Sequence, residues 1–362
     1  MTTQTRSEAK TRLRISTLFV VCLATTVGAC STANQNPPGP NVKACGPFGD
    51  PPADTIQGER PLCLAGVRLG PWKDSNGTER YACLYEPEAG AGALPMVVYL
   101  HPSLFGTETI HLTNLLHYRN SMALGAEGTR GFIVLEPGGR KTSHYYPFPD
   151  ENGVGWDNWY RQLNPAGDVK IGDAVYKENV DAAAIDHFIA EEAATGRIDT
   201  KRVYLTGWSN GAAMAYLYAL NRPNIAAAAV YSAPDPFGAF DDPCPQKPVA
   251  RSPQGDAEIQ IFNPRLPNLH IHNNCDVTGI CPNCEQLTSQ LTAAGINVND
   301  TIVDFLGSQV SGCMRACGTD PDGDPDMVSN PLAWMLGLAN HSRWPLSWTR
   351  PMLEFCRDHP LK

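Results

Sequence analysis

An α/β architecture, a mostly parallel sheet covered by helices on both faces, is what this sequence predicts. Two observations carry that prediction. From about residue 95 onward, short apolar runs rich in β-branched residues alternate with longer segments of helical periodicity. Strands joined by helical crossovers pair in parallel and are buried on both faces, so each should read as a continuous apolar run. The composition allows such a core, since 362 residues at 42% hydrophobic and 18% charged can bury a large apolar interior.

The N-terminus reads as a targeting segment. Arg6, Lys10, Arg12 and Arg14 precede the apolar run "ISTLFVVCLATTV", which is too short to span a membrane as a helix. The run closes on "VGAC", small residues ahead of Cys30, which resembles a bacterial lipoprotein signal cut before a cysteine that then carries lipid. The plainer alternative is an ordinary signal peptide. Either way the chain is exported, and the lipid reading anchors it to a bacterial membrane. The expected organisation is a signal over 1–29, the lipidated Cys30 with a proline-rich tether to residue 44, and a catalytic domain over 45–362. Loss of residues 1–29 removes four basic and one acidic residue, so the net charge moves from -9 to -9 - 3 = -12. With that charge and no basic block in the remainder, a nucleic-acid partner is not expected.

The strands and helices follow in order. "RYACLYEPE" after the turn "DSNG" predicts a hairpin. "LPMVVYLH" and "GFIVLEP" read as buried strands. In "ENVDAAAIDHFIAEEAATG" Val180, Ala184 and Phe188 stand four apart, with Ile185 and Ile189 beside them, which predicts a helix with one apolar stripe ended at Gly196. "RVYLTG" reads as a strand and "AAMAYLYAL" as a helix stopped by "NRPN". "IAAAAVYSA", "LPNLHIHN" and "NDTIVDFL" are further strands.

Between that strand and that helix stands Gly207-Trp208-Ser209-Asn210-Gly211, a G-x-S-x-G sequence. Strand before and helix after are the context a nucleophile elbow needs. The serine occupies a strained turn, the glycines remove side chains that would collide, and the helix N-terminus faces developing negative charge. A serine nucleophile needs a base and an orienting acid. In chain order Ser, acid, His, two histidines follow the strand "LHIH". His359 lies in a polar tail and is expected to be solvated, and His341 lies in a loop after an apolar stretch, so His341 is the favoured base. Asp276 comes just past a strand end and is favoured as the acid over Asp304, inside a strand, and over the aspartates from Asp320 to Asp326.

"YLTGWSNGAAMAY", "HNNCD" and "NHSRWP", in this order, resemble secreted esterases of the polyhydroxybutyrate-depolymerase and feruloyl-esterase type. The likeness runs from about Pro95 to the C-terminus. It implies the α/β-hydrolase fold and a triad of Ser209, Asp276 and His341 acting on esters without a cofactor or metal. It also implies an oxyanion hole. The backbone N–H of Asn210 is one donor, and the loop "YLHPSLFG" supplies the other. Where the family has His-Gly-Cys this chain has His101-Pro102-Ser103, and Pro102 has no N–H to give, so Ser103 is the matching donor. "GVGWDNWYRQ" matches a family segment near the pocket, which would place Trp156 and Trp159 at the substrate mouth, against the alternative that both are core aromatics. Trp344 matches a further family tryptophan that could wall the same pocket. The implied substrates are short hydroxyalkanoate oligomers, hydroxycinnamoyl esters or other small esters. A serine peptidase on the same fold and a non-catalytic binding lipoprotein are the rivals.

Other signals point elsewhere or nowhere. Cys275, Cys281, Cys284, Cys313 and Cys317 have spacings a zinc site could use, but an exported chain with ten cysteines left after the signal and the lipidated Cys30 favours disulfides. A bridge at Cys275 would fix the loop that carries Asp276. "TDPDGDPD" offers oxygen ligands for calcium but lacks the closing glutamate of an EF-hand loop. His270 and His272 share a strand face and read as satisfied strand histidines.

Overall fold

The computed structural model describes residues 57–75, 77–88, 90, 92–125, 130–141, 154–156, 169–171, 174–176, 179–234, 263–277, 280–314 and 331–362. All lie in the compact unit Val42–Lys362. Eight of the described strands form one sheet: β1 (Val67–Lys73), β2 (Glu79–Tyr85), β3 (Leu94–Leu100), β4 (Ile133–Pro137), β5 (Ile198–Trp208), β6 (Ala227–Tyr231), β7 (Asn268–Asn273) and β8 (Val298–Val303). Their spatial order is β8-β7-β6-β5-β3-β4-β2-β1. β1 and β2 form the expected antiparallel hairpin, β2 also runs against β4, and every other pair is parallel.

The central strands are buried along their whole length, which is why their sequences lack alternation. Helix α1 (Val180–Ala194) buries Val180, Ala184, Ile185, Phe188 and Ile189, the stripe its sequence marks. Asn179 caps it by accepting from the N–H groups of Asp181 and Ala182. α2 (Asn210–Leu220) is buried on all sides, consistent with its run of Ala, Met, Leu and Tyr. The remaining long helices are α3 (Ile280–Ala293), α4 (Pro331–His341) and α5 (Thr349–Arg357). Two apolar clusters, one on each sheet face, make up the core. The architecture is the α/β-hydrolase fold, with a mostly parallel sheet between helical layers. No helix among the described residues is long and apolar enough to cross a membrane.

Two elements differ from the sequence reading. β8 ends at Val303, so Asp304 stands outside it and its carboxylate caps the following turn by accepting from the N–H groups of Leu306 and Ser308. His341 is the last residue of α4 rather than part of a loop. The apolar stretch ahead of it is itself that helix, and the proline that stops it, Pro345, comes four residues later.

Disulfides join Cys63 to Cys83 and Cys281 to Cys313, and Cys275 is also disulfide-bonded. These cysteines form disulfides as expected, and the pairing is what the sequence alone could not supply. The signal segment, Cys30, the tether, Trp159 and the aspartates from Asp320 to Asp326 lie outside the described residues.

Candidate active site

Ser209 sits between the end of β5 and the start of α2 with φ 56° and ψ -125°. That left-handed φ is rare for a residue with a side chain and marks a strained turn. It is pinned on both sides: the Ser209 N–H donates to the carbonyl of Tyr231 (3.0 Å), and its own carbonyl accepts from Ala213 N (3.0 Å). The two flanking glycines are dictated by close approach. A Cβ on Gly211 would strike the carbonyl oxygens of Leu100 and His101, and one on Gly207 would come within 2.5 Å of the Gly211 oxygen. The elbow is thus packed directly against the end of β3.

The structure brings together the three residues favoured from sequence. Ser209 Oγ lies 2.8 Å from His341 Nε2, and His341 Nδ1 lies 2.7 Å from Asp276 Oδ1. The three come from the C-terminal ends of β5 and β7 and from α4, at the sheet edge where such folds place their chemistry. Ser209 and Asp276 are 6% and 3% exposed, so the carboxylate is held away from bulk water. Asp276 Oδ1 also accepts from Val277 N (2.7 Å).

Several positioning contacts carry no signal in the sequence. Ser232, the residue after β6, donates its hydroxyl to Asp276 Oδ2 (2.7 Å). It too has a positive φ, 52°, and its N–H donates to Ile271 O. Asn340 donates through Nδ2 to Asn273 Oδ1 (3.1 Å) and Cys275 O (2.7 Å), tying α4 to the acid loop. Trp208 Nε1 donates to the carbonyl of His341 (2.8 Å). Burial and the nearby Asp276 charge push the Tyr231 phenol far above its ordinary value, so it stays neutral beside the site. Nothing in the G-x-S-x-G pattern, where Trp208 fills an unrestricted position, marks its contact with His341. Ser232 and Asn340 are ordinary residue types whose role depends on contacts 44 and more positions away.

The loop after β3 is built to aim one backbone group. His101 is fully buried, and its Nε2 accepts from Gly139 N (2.9 Å). The tautomer this requires has its proton on Nδ1, which donates to Pro102 O (2.9 Å). In a trans peptide the C=O and the following N–H point opposite ways. Holding the Pro102 carbonyl toward His101 therefore turns the Ser103 N–H away from the ring. Glu59 stands 3.3 Å from His101 Nε2 and accepts from Thr107 N and Oγ1, holding the far side of the loop. The Asn210 N–H is one of the first in α2, which lack acceptors within the helix.

Of the two readings left open for Trp156, the structure takes the core one, and Trp344 is buried as well. Trp156 is 0% exposed. Its Nε1 donates to His101 O (2.9 Å), and its backbone exchanges hydrogen bonds with the Asn210 side chain (2.8 and 3.2 Å). It braces the loop after β3 against the elbow from inside the core. Trp344 is 2% exposed, donates to Thr349 Oγ1 (2.8 Å) and packs edge-on against Tyr99, Trp208 and Tyr231. Large aromatic area is simply more stable buried, with the indole N–H bonded. His359 is only partly exposed and pairs through Nδ1 with Phe355 O (2.7 Å), so it is part of the α5 terminus rather than a solvated tail.

Residues 80–316, more than half of the chain, match the sequence profile of the family described as esterase PHB depolymerase. No curated protein sequence matches. Among solved structures, a thermostable esterase is 19% identical, with 73% of this chain and 59% of that one covered and a TM-score of 0.41. Thermogutta terrifontis esterase 2, phosphorylated by paraoxon, is 12% identical over 68% of this chain and 85% of that one, with a TM-score of 0.43. A ferulic acid esterase is 11% identical over 67% and 91%, with a TM-score of 0.42.

Proposed function

Because the chain belongs to the esterase PHB depolymerase family and is a carboxylic ester hydrolase, we propose that it cleaves its ester through Ser209, His341 and Asp276 by way of an acyl-enzyme. The observation that carries this reading is the pair of short contacts in line, 2.8 Å from Ser209 Oγ to His341 Nε2 and 2.7 Å from His341 Nδ1 to Asp276 Oδ1. His341 Nε2 takes the Ser209 proton as Oγ attacks the ester carbonyl. Asp276 holds the imidazole with its other proton on Nδ1 and stabilises the imidazolium that forms. Ser232 and Val277 N keep that carboxylate solvated by protein donors in place of water. The carbonyl oxygen, now negative, is met by the N–H groups of Asn210 and Ser103, each such donor being worth roughly 3 kcal/mol in the transition state. His341 returns its proton to the departing alcohol. Water, deprotonated by the same imidazole, then releases the acid from Ser209. The steps draw only on these side chains and backbone groups.

Short hydroxyalkanoate oligomers, hydroxycinnamoyl esters and other small esters are the proposed substrates. The signal-like N-terminus supports export and, with it, soluble extracytoplasmic esters as substrates, and the "VGAC" sequence ahead of the folded domain supports a lipid anchor at Cys30. Replacing Cys30 by Ala should move the chain from the membrane to the soluble fraction, and an unchanged distribution would overturn the anchor.

The test is hydrolysis of p-nitrophenyl esters from acetate to decanoate by the mature chain and by Ser209→Ala. Turnover lost in the variant supports the serine, and its chain-length profile sizes the acyl site. Hydrolysis retained by folded Ser209→Ala would overturn the assignment, and cleavage confined to peptide substrates would point to a peptidase.

A further inference from the structure

On the acid-bearing side of the sheet, β7 carries His270 and His272, two residues apart and therefore on one face. Both are 0% exposed, and their ring centroids lie 5.3 Å apart. They are not satisfied strand histidines. Neither ring nitrogen of His270 has a hydrogen-bond partner among the described residues, a costly state for polar atoms in an interior. Cys284, in the first turns of α3, approaches them. One ligand atom from each of His270, His272 and Cys284 lies within 4.8 Å of the other two. On the neighbouring strand, Asp300 stands opposite His270 in the parallel register and sets Oδ1 3.2 Å from His272 Nδ1.

We propose that His270, His272 and Cys284 form a binding site for a zinc-class divalent ion, with Asp300 orienting His272 from behind. Imidazole and thiolate are the donors that borderline-soft ions of this kind select. A carboxylate on Nδ1 fixes the tautomer and leaves Nε2 with its lone pair, the arrangement that supports metal-bound histidines. The charges close: an ion of +2, one thiolate and one partly exposed carboxylate sum to zero, which limits the cost of holding the ion among buried ligands. The Cys284 thiol now donates to the Ala233 carbonyl (3.2 Å). On binding, its S–H bond is replaced by a sulfur–metal bond, and the proton leaves to solvent. His272 also clusters with Cys281 and Cys313, but those sulfurs are joined to each other, which leaves Cys284 as the sulfur donor.

Position suggests what the ion does. β7 runs directly into the loop carrying Asp276, α3 follows that loop, and Ala233 follows Ser232. An ion bridging β7 and α3 braces the acid loop from both ends, so it is a structural centre and its test does not depend on the triad.

The experiment uses the mature, disulfide-intact protein. Metal analysis after incubation with zinc and desalting should find about one zinc per chain. Chelator dialysis should lower Tm, and zinc but not magnesium should restore it. Cobalt(II) added to the apo protein should give a thiolate-to-metal charge-transfer band. That band should be absent in Cys284→Ser, and zinc should be lost in His270→Asn. A wild-type protein that keeps no zinc and shows no cobalt band would overturn the proposal, and this arm needs no variant to fold. Peptide mapping that finds Cys284 in a disulfide would overturn it equally.

Discussion

Ser232 is where the reasoning about the site is most exposed to a single substitution. Asp276 is nearly fully buried, and its Oδ2 receives the Ser232 hydroxyl at 2.7 Å. A hydrogen bond to a charged group is worth about 1.5–3 kcal/mol. If that loss is felt mainly where His341 becomes an imidazolium, kcat falls about 10- to 100-fold, since 1.36 kcal/mol is one decade. KM should stay near wild type, because the carboxylate does not touch substrate. The backbone offers an internal control. Ser232 has φ 52°, a conformation that costs alanine about 1 kcal/mol or more and glycine little. Ser232→Gly and Ser232→Ala should therefore lose the same kcat while Ser232→Gly melts at the higher temperature. Steady-state hydrolysis of p-nitrophenyl butyrate, paired with thermal melts, reads both. A Ser232→Gly enzyme that keeps wild-type kcat would refute the positioning role.

Three further outcomes follow from contacts already described or adjacent to them. His101→Ala frees the Pro102 carbonyl and lets the Ser103 N–H swing, so kcat should fall by about tenfold or more with little change in KM, and unchanged kinetics would show that the loop aims itself. Asp181 is fully buried and pairs with Arg80 (2.7 Å) and Arg140 (2.9 Å), joining the N-terminus of α1 to β2 and to the segment after β4. Asp181→Ala removes a carboxylate shared by two buried guanidinium groups, of which Arg80 keeps its pairing with Asp74 (3.3 Å), and should cost about 3 kcal/mol in a denaturant melt, while a loss below about 1 kcal/mol would contradict the buried pairing. Burial, aided by the Glu59 charge, raises the Glu136 pKa well above its ordinary 4.5. The folded state then holds a proton the unfolded chain has released, so stability present below pH 4.5 is lost as pH rises toward the folded pKa, by at most about 1.4 kcal/mol per unit. Glu136→Gln should remove that slope above pH 4.5, and a variant with the wild-type slope would assign it elsewhere.

The legible parts of the fold were those where one physical cause dominates. Fully buried parallel strands such as β3 and β6 must be apolar throughout, and the stripe of α1 must face the sheet, so both could be read from residue type. The elbow was legible because a strained φ with packing on both sides restricts Gly207 and Gly211 to glycine. His341 and Asp276 were reached through chain order. What was not legible depends on partners distant in sequence. Nothing local distinguishes Ser232 or Asn340, and nothing in β8 showed that its last paired residue is Val303 and not Asp304. The sequence left Trp156 open between pocket and core for a related reason: an indole pairs as readily with a core carbonyl as with a pocket, and only burial decides. His270 and His272 were assigned to the correct face, but whether their nitrogens find partners is a three-dimensional question.

The central claim is that Ser209 is the atom that takes the acyl group. The most direct measurement is mass spectrometry of the enzyme after stoichiometric reaction with a p-nitrophenyl phosphonate, followed by peptide mapping. One adduct per chain is expected, on the peptide containing Ser209, formed in step with the loss of esterase activity, absent in Ser209→Ala and much slowed in His341→Ala. An adduct on another residue that tracks the loss of activity, or full inactivation with Ser209 unmodified, would contradict it.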